Sequence, residues 1–166
     1  MKNFISILVL FVSSFISAQP KLEMTSNGFA SIEFDVPNRP TKDLVEISKG
    51  WANSNLEKRS DVYDITESSL SVDAFKKNAY HYLNRGETYQ FDIRYTMKIA
   101  FQPNNTCKVT FAVKEIYDSG NALKTTIADF FAPDGRLKED FEEVKPSLEE
   151  TVNKIVRSFA SNFLVN

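Results

Sequence analysis

ETYQFDIRYTMKIAF, residues 87–101, carries an apolar side chain at every second position: Tyr89, Phe91, Ile93, Tyr95, Met97, Ile99 and Phe101. The residues between them, Thr88, Gln90, Asp92, Arg94, Thr96, Lys98 and Ala100, are mostly polar. Successive strand side chains point to opposite faces, so this pattern seats one face on a core and leaves the other in water. A helix would scatter the same seven residues around its circumference. The stretch is a long, half-buried strand, and the rest of the chain has to cover its odd-numbered face.

The neighbouring segments supply partners for it. Cys107, Val109, Phe111, Val113 and Tyr117 keep the odd parity after Pro103-Asn104-Asn105. A three-residue loop with Asn105 in the left-handed conformation brings the two odd faces together. That register predicts Met97 opposite Phe111, Ile99 opposite Val109 and Phe101 opposite Cys107. Upstream, residues 70–83 read as a strand whose phase breaks: Leu70, Val72 and Ala74 are even, whereas Phe75, Ala79 and Leu83 are odd. One extra residue swaps the faces, which predicts a bulge near Ala74-Phe75. Residues 61–66 read as a short strand with either Tyr63 and Ile65 or Val62 inward. Ala30, Ile32, Phe34 and Val36 alternate with Ser31, Glu33 and Asp35 in a first strand that stops before Pro37.

Two segments have helical spacing instead. Leu44, Ile47, Trp51 and Leu56 form one stripe, with Thr41 placed as N-cap and Asp43 in the first turn, where a carboxylate complements the helix dipole. Gly50 costs this helix about 1 kcal/mol against alanine and suggests a close approach to the sheet. Leu148, Val152, Ile155, Val156, Phe159 and Phe163 form the second stripe, with Pro146 in its first turn and Lys145, Glu149, Asn153 and Arg157 lying off it. The expected architecture is α+β: an antiparallel, curved sheet of about five strands in the order β-α-β-β-β-β-α, with both helices on one face.

In this order of elements the chain resembles a family of exported Bacteroidetes domains of unknown function with a TATA-box-binding-protein-like fold. The resemblance is carried by IEFDVP (32–37), LVEISKGWANSNL (44–56), YQFDIRYTMKIAF, KVTFAVKEIYD and the terminal amphipathic helix. It implies a helix-grip type of packing between terminal helix and sheet. It implies no activity and no functional residues.

Residues 1–18 have the layout of a secretory signal peptide: Lys2, an apolar run from Phe4 to Ile16, then the small residues Ser17-Ala18. The apolar run is too short and too interrupted by serine to be a bilayer span. Cleavage before Gln19 leaves residues 19–28 as a polar leader and 29–166 as one domain, expected in the periplasm or outside the cell with no membrane span. The net charge of −2 at pH 7 offers no electrostatic attraction for nucleic acid. Arg94, Lys98, Lys108 and Lys114 share the polar sheet face, but without the apolar wedges that a DNA-binding saddle inserts between bases.

No motif for chemistry stands out. The single histidine, His81, has no companions for a metal site or a nucleophile triad, and no G-x-S-x-G is present. The single cysteine, Cys107, shares parity with core residues and reads as a small apolar side chain. Asp129, Asp134, Glu139, Asp140, Glu142 and Glu143 lie in an irregular stretch, 119–143, and read as a solvated loop without EF-hand spacing. No catalytic residue, metal or cofactor is expected, and the chain is not read as an enzyme. Two functions fit. One is an exported binding module taking a small apolar or amphiphilic molecule between the sheet and the C-terminal helix. Its expected lining is Tyr95, Met97, Phe130, Phe131, Phe159 and Phe163, with 119–143 as a lid. The other is a solid-cored envelope domain for protein interaction or structure.

Overall fold

The computed structural model describes residues 21–57 and 60–165. The signal peptide expected over 1–18, and Gln19 at its cleavage point, lie outside the described residues. The central strand is β6 (Glu87–Gln102), with Ile93, Tyr95, Met97, Ile99 and Phe101 buried and Arg94, Lys98 and Ala100 exposed. Tyr89, near its start, departs from the expected pattern and is exposed. The next strand, β7 (Thr106–Asp118), returns through the three-residue loop with Asn105 at φ 59°. All three predicted pairs, Met97–Phe111, Ile99–Val109 and Phe101–Cys107, are present. A bulge then leaves Lys114 without a counterpart on β6, since Arg94 faces Glu115 and Tyr95 faces Val113. The extra residue reverses parity, so Ile116 is buried and Tyr117 lies on the outer face beside Phe75 rather than in the core.

The broken phase of the preceding strand has a different solution from the one expected. In β5 (Ser69–Asn84), Lys76 faces Ile93 and Tyr80 faces Phe91, so the irregularity lies at residues 77–79 and not at Ala74-Phe75. Four steps on β5 match two on β6, which inserts two residues and preserves parity. Tyr80 therefore remains on the buried face with Leu70, Val72 and Ala74, whereas Phe75 turns to the outer face and Leu83 is exposed. Asn78 sits at φ 50° inside the bulge, and its backbone N–H donates to Asp92 Oδ1 at 2.8 Å. Asp92 is thus engaged with the bulge, and Arg94 pairs instead with Asp73 (2.8 Å) and Glu115 (3.8 Å).

The strand β3 (Ile32–Asp35) lies beside β7, and β4 (Asp61–Tyr63) beside β5, giving an antiparallel order β3-β7-β6-β5-β4. The short strand ends at Tyr63 because Asp64 takes a positive φ of 50°, so Val62 faces inward opposite Val72 and Ile65 is exposed. Beyond the sheet's buried face lie α1 (Thr41–Asn55) and α2 (Val144–Val165). Phe159 joins the layers: its ring meets Trp51 at 5.1 Å and Phe34 at 6.2 Å, while Phe163 meets Phe101 at 5.9 Å. Edge-on aromatic contacts of this kind add to the burial of large apolar side chains.

At the start of α1 the N-cap is Pro40, and Thr41 is the first helical residue without a side-chain capping bond. Gly50 is exposed, and a Cβ built there meets nothing within 4 Å, so it does not mediate a close approach. Gly50→Ala is therefore expected to stabilise the protein by about 1 kcal/mol. Urea denaturation checks this, and a lower midpoint would show an unrecognised contact at that surface.

The largest departure from the expected organisation is at the N-terminus. Residues 21–28 are part of the fold, with Leu22 and Met24 fully buried. The hairpin of β1 (Met24–Thr25) and β2 (Gly28–Phe29) closes through Gly28 at φ 93°, and Phe29 packs on Phe111 at 5.8 Å. Glu149 and Asn153, read as off the helix stripe, are buried beneath this segment. Asn153 Oδ1 accepts from Leu22 N–H at 2.8 Å and its Nδ2 donates to Leu22 C=O at 2.9 Å. Glu149 Oε1 accepts from Met24 N–H at 2.8 Å. Two helix side chains thus satisfy the backbone of an extended segment as a neighbouring strand would.

Candidate functional site

A cleft of about 340 Å³ opens beside the irregular segment of β5. β4 pairs with β5 only over Ser71–Asp73, so the following residues of β5 have no strand on that side. The C-terminal end of α1 stands across the gap with Trp51, Asn55, Leu56 and Glu57, and α2 closes it with Thr151, Lys154, Ile155 and Ser158. The bulged segment contributes Phe75, Lys76 and Asn78, and Tyr95 lines it from β6. Its size falls at the lower end of the range for small-molecule sites, and its lining is divided almost evenly between apolar and polar surface, more polar than such sites usually are.

Tyr95 is the residue of interest. Its ring stacks on Phe111 with centroids 4.6 Å apart, and only 1% of the residue is exposed. Opposite it on β5 is Ala74, too small to cover it. Its hydroxyl bonds no described residue but is open to the cleft; the fully enclosed side-chain oxygen without a partner among the described residues is Thr96 Oγ1. Burial, together with the nearby charge of Glu57, holds the phenol well above its usual range. The group is therefore a proton donor throughout the physiological range. Trp51, whose Nε1 donates to Ser158 Oγ at 3.2 Å, forms the opposite wall, and Asn55 Nδ2 donates to the Trp51 carbonyl at 3.0 Å.

Of the six residues expected to line a ligand site, Tyr95 alone borders this cleft. Met97 lies at the centre of the buried sheet face, and Phe159 and Phe163 join the aromatic contacts between helix and sheet. Phe130 is buried against Tyr80 and Phe141, in a 3-10 turn over Ile127–Phe130, and Phe131 pairs with Leu137. Residues 119–143 are accordingly structured against the core at Ile127, Phe130 and Phe131. They also hold a two-residue strand, β8 (Asn121–Ala122), paired to the end of β7. The cleft residues Phe75, Lys76 and Asn78 left one trace in the sequence, the broken phase of residues 70–83.

The remaining chemistry-bearing residues are accounted for. Asp129 accepts from the Thr126 backbone N–H (2.7 Å) and hydroxyl (2.8 Å); these bonds hold its carboxyl below its usual range. Asp134 Oδ1 accepts from Arg136 N–H within a turn. Among the described residues no group of three or more His, Cys, Asp or Glu side chains converges on a metal position. Lys108 lies 3.9 Å from Glu33, so on the outer sheet face it and Arg94 are each matched by carboxylates. His81 meets a serine that the sequence did not single out: Ser147 Oγ lies 2.9 Å from its Nδ1 and accepts from its backbone N–H. This contact ties β5 to the first turns of α2. No acid bonds the ring among the described residues, so the base-orienting third group of a triad is missing.

Cys107 is buried, and burial pushes its thiol up to about 12. The thiolate is the nucleophile, so the native protein at pH 8 is expected to react with a disulfide reagent only as fast as it unfolds. Rapid stoichiometric labelling without denaturant would contradict that placement.

No family model matches this chain, and no curated protein matches it. Among solved structures it is similar to a DUF4468 family protein from Bacteroides ovatus, with a TM-score of 0.53 at 11% identity over 78% of each chain. At that identity the likeness is one of fold, and it assigns no residue a role.

Proposed function

We propose that this chain is a small, non-enzymatic, exported binding module that takes an amphiphilic molecule in the cleft between β5, α1 and α2. The carrying observation is the cleft itself, which sets the Tyr95 hydroxyl, bonded to no described residue, beside apolar surface from Trp51, Leu56 and Ile155. A ligand acceptor in the cleft would give that hydroxyl a hydrogen bond, worth about 0.5–1.5 kcal/mol. Export is supported by the signal layout of residues 1–18.

A second reading, an envelope interaction or structural domain, is favoured by the burial of Met97, Phe130, Phe131, Phe159 and Phe163 in a filled interior. Titration calorimetry with a ten-carbon alcohol separates the two. Binding by the native chain, lost in Thr151→Trp at an unchanged melting temperature, supports the cleft. Absence of binding to the alcohol and to its carboxylate and amine analogues transfers the function to the second reading.

A further inference from the structure

We propose that the cleft selects an anionic head group, that of a small amphiphilic carboxylate. This inference rests on the reading of the cleft as a ligand site. Lys76 reaches it from the β5 bulge and Lys154 from α2, and neither has a carboxylate partner among the described residues. Elsewhere Arg94, Lys108, Lys49 and Lys145 lie beside an acid, whereas Lys98 and Lys114 have none among the described residues. Thr151 and Ser158 add hydroxyls, and Tyr95 adds one from β6. A lysine ammonium offers only donors, whereas the hydroxyls and the amides of Asn55 and Asn78 can donate or accept, so the two lysines are the groups that favour an acceptor in the ligand.

The opposing charges are Glu57 and the C-terminal end of α1, whose free carbonyls carry partial negative charge. Two of those carbonyls are already engaged, Trp51 by Asn55 and Ala52 by the Leu56 N–H. Glu57 is exposed to water, as are Lys76 and Lys154, so water screens all three, and the two positive charges outnumber the one negative. The charge of Glu57 also disfavours ionisation of Tyr95 and so preserves the donor. A carboxylate between the two ammonium groups gains charge-assisted hydrogen bonds, roughly twice as strong as neutral ones. Its hydrocarbon tail would lie along Trp51, Leu56 and Ile155.

The test compares three ten-carbon probes, decanoate, decanol and decylamine, by calorimetry at pH 7.5 and low salt. Decanoate is expected to bind about tenfold more tightly than decanol, with decylamine weakest. Lys76→Gln with Lys154→Gln should abolish the preference for decanoate while leaving decanol affinity within about twofold. Tyr95→Phe should weaken decanoate and leave the helical circular dichroism unchanged. Equal binding of all three probes, or a preference that survives loss of both lysines, overturns the anionic assignment and leaves the binding reading standing. Failure of all three to bind overturns both.

Discussion

Trp51→Ala is expected to lower stability by about 3–5 kcal/mol, the range for removing a large aromatic from a site that cannot collapse. Trp51 is 3% exposed, and its ring stands edge-on to Phe159, which also touches Phe34 and Phe163. Truncation leaves a void at the junction of both helices and the sheet, bounded by rigid secondary structure that relaxes little. It also removes the bond to the exposed Ser158 hydroxyl and one wall of the cleft. Because Trp51 is the only tryptophan, unfolding must be followed by circular dichroism rather than by its fluorescence. Trp51→Phe is the companion variant. It keeps a ring against Phe159 but loses the bond to Ser158, worth about 1 kcal/mol. An unchanged midpoint and slope for Trp51→Ala would mean that α1 does not dock as described.

Asn153→Leu should be nearly as costly, although it adds apolar surface to a buried helix position. The asparagine amide is the partner of both the N–H and the C=O of Leu22. Leucine leaves both groups buried without a partner, at about 1–3 kcal/mol each, or about 2–6 kcal/mol together. Arg157→Leu, one turn further along the helix and exposed, should change stability by no more than about 0.5 kcal/mol. Hydrogen exchange gives the sharper readout: in Asn153→Leu the Leu22 amide should lose protection while amides of β6 keep theirs relative to global stability. Retained protection at Leu22 would remove the strand-like role assigned to Asn153.

These two sites differ in how visible they were. Trp51 stood on a helical stripe with Leu44 and Ile47, and periodicity is a local property that a single segment displays by itself. The same holds for β6 and β7, where matching parity and a three-residue loop left one register that buries both odd faces. The contact of Leu22 with Asn153 has no such signature. Its partners are separated by 131 positions, the N-terminal residues read as polar, and Asn153 read as a solvent-facing turn of an amphipathic helix. The burial of polar side chains becomes legible only when the backbone that they satisfy is in place.

The cleft belongs to the same class. Broken alternation in residues 70–83 announced an irregularity, but one added residue and two have opposite consequences for parity, and local pattern cannot distinguish insertions that neighbouring strands must accommodate. The structure places two extra residues opposite β6, keeps Tyr80 inward, turns Phe75 outward and leaves Tyr95 facing Ala74 at the edge of a gap. By itself, then, the sequence determined the fold class, the two helices, the central hairpin and its register, because each follows from side-chain periodicity within contiguous segments. Only the tertiary structure decided the strand order, the docking of residues 21–29, the bulge at 77–79 and the cleft beside it. Each of those depends on which distant surfaces meet, and burial is a property of the assembled chain rather than of any one stretch of it.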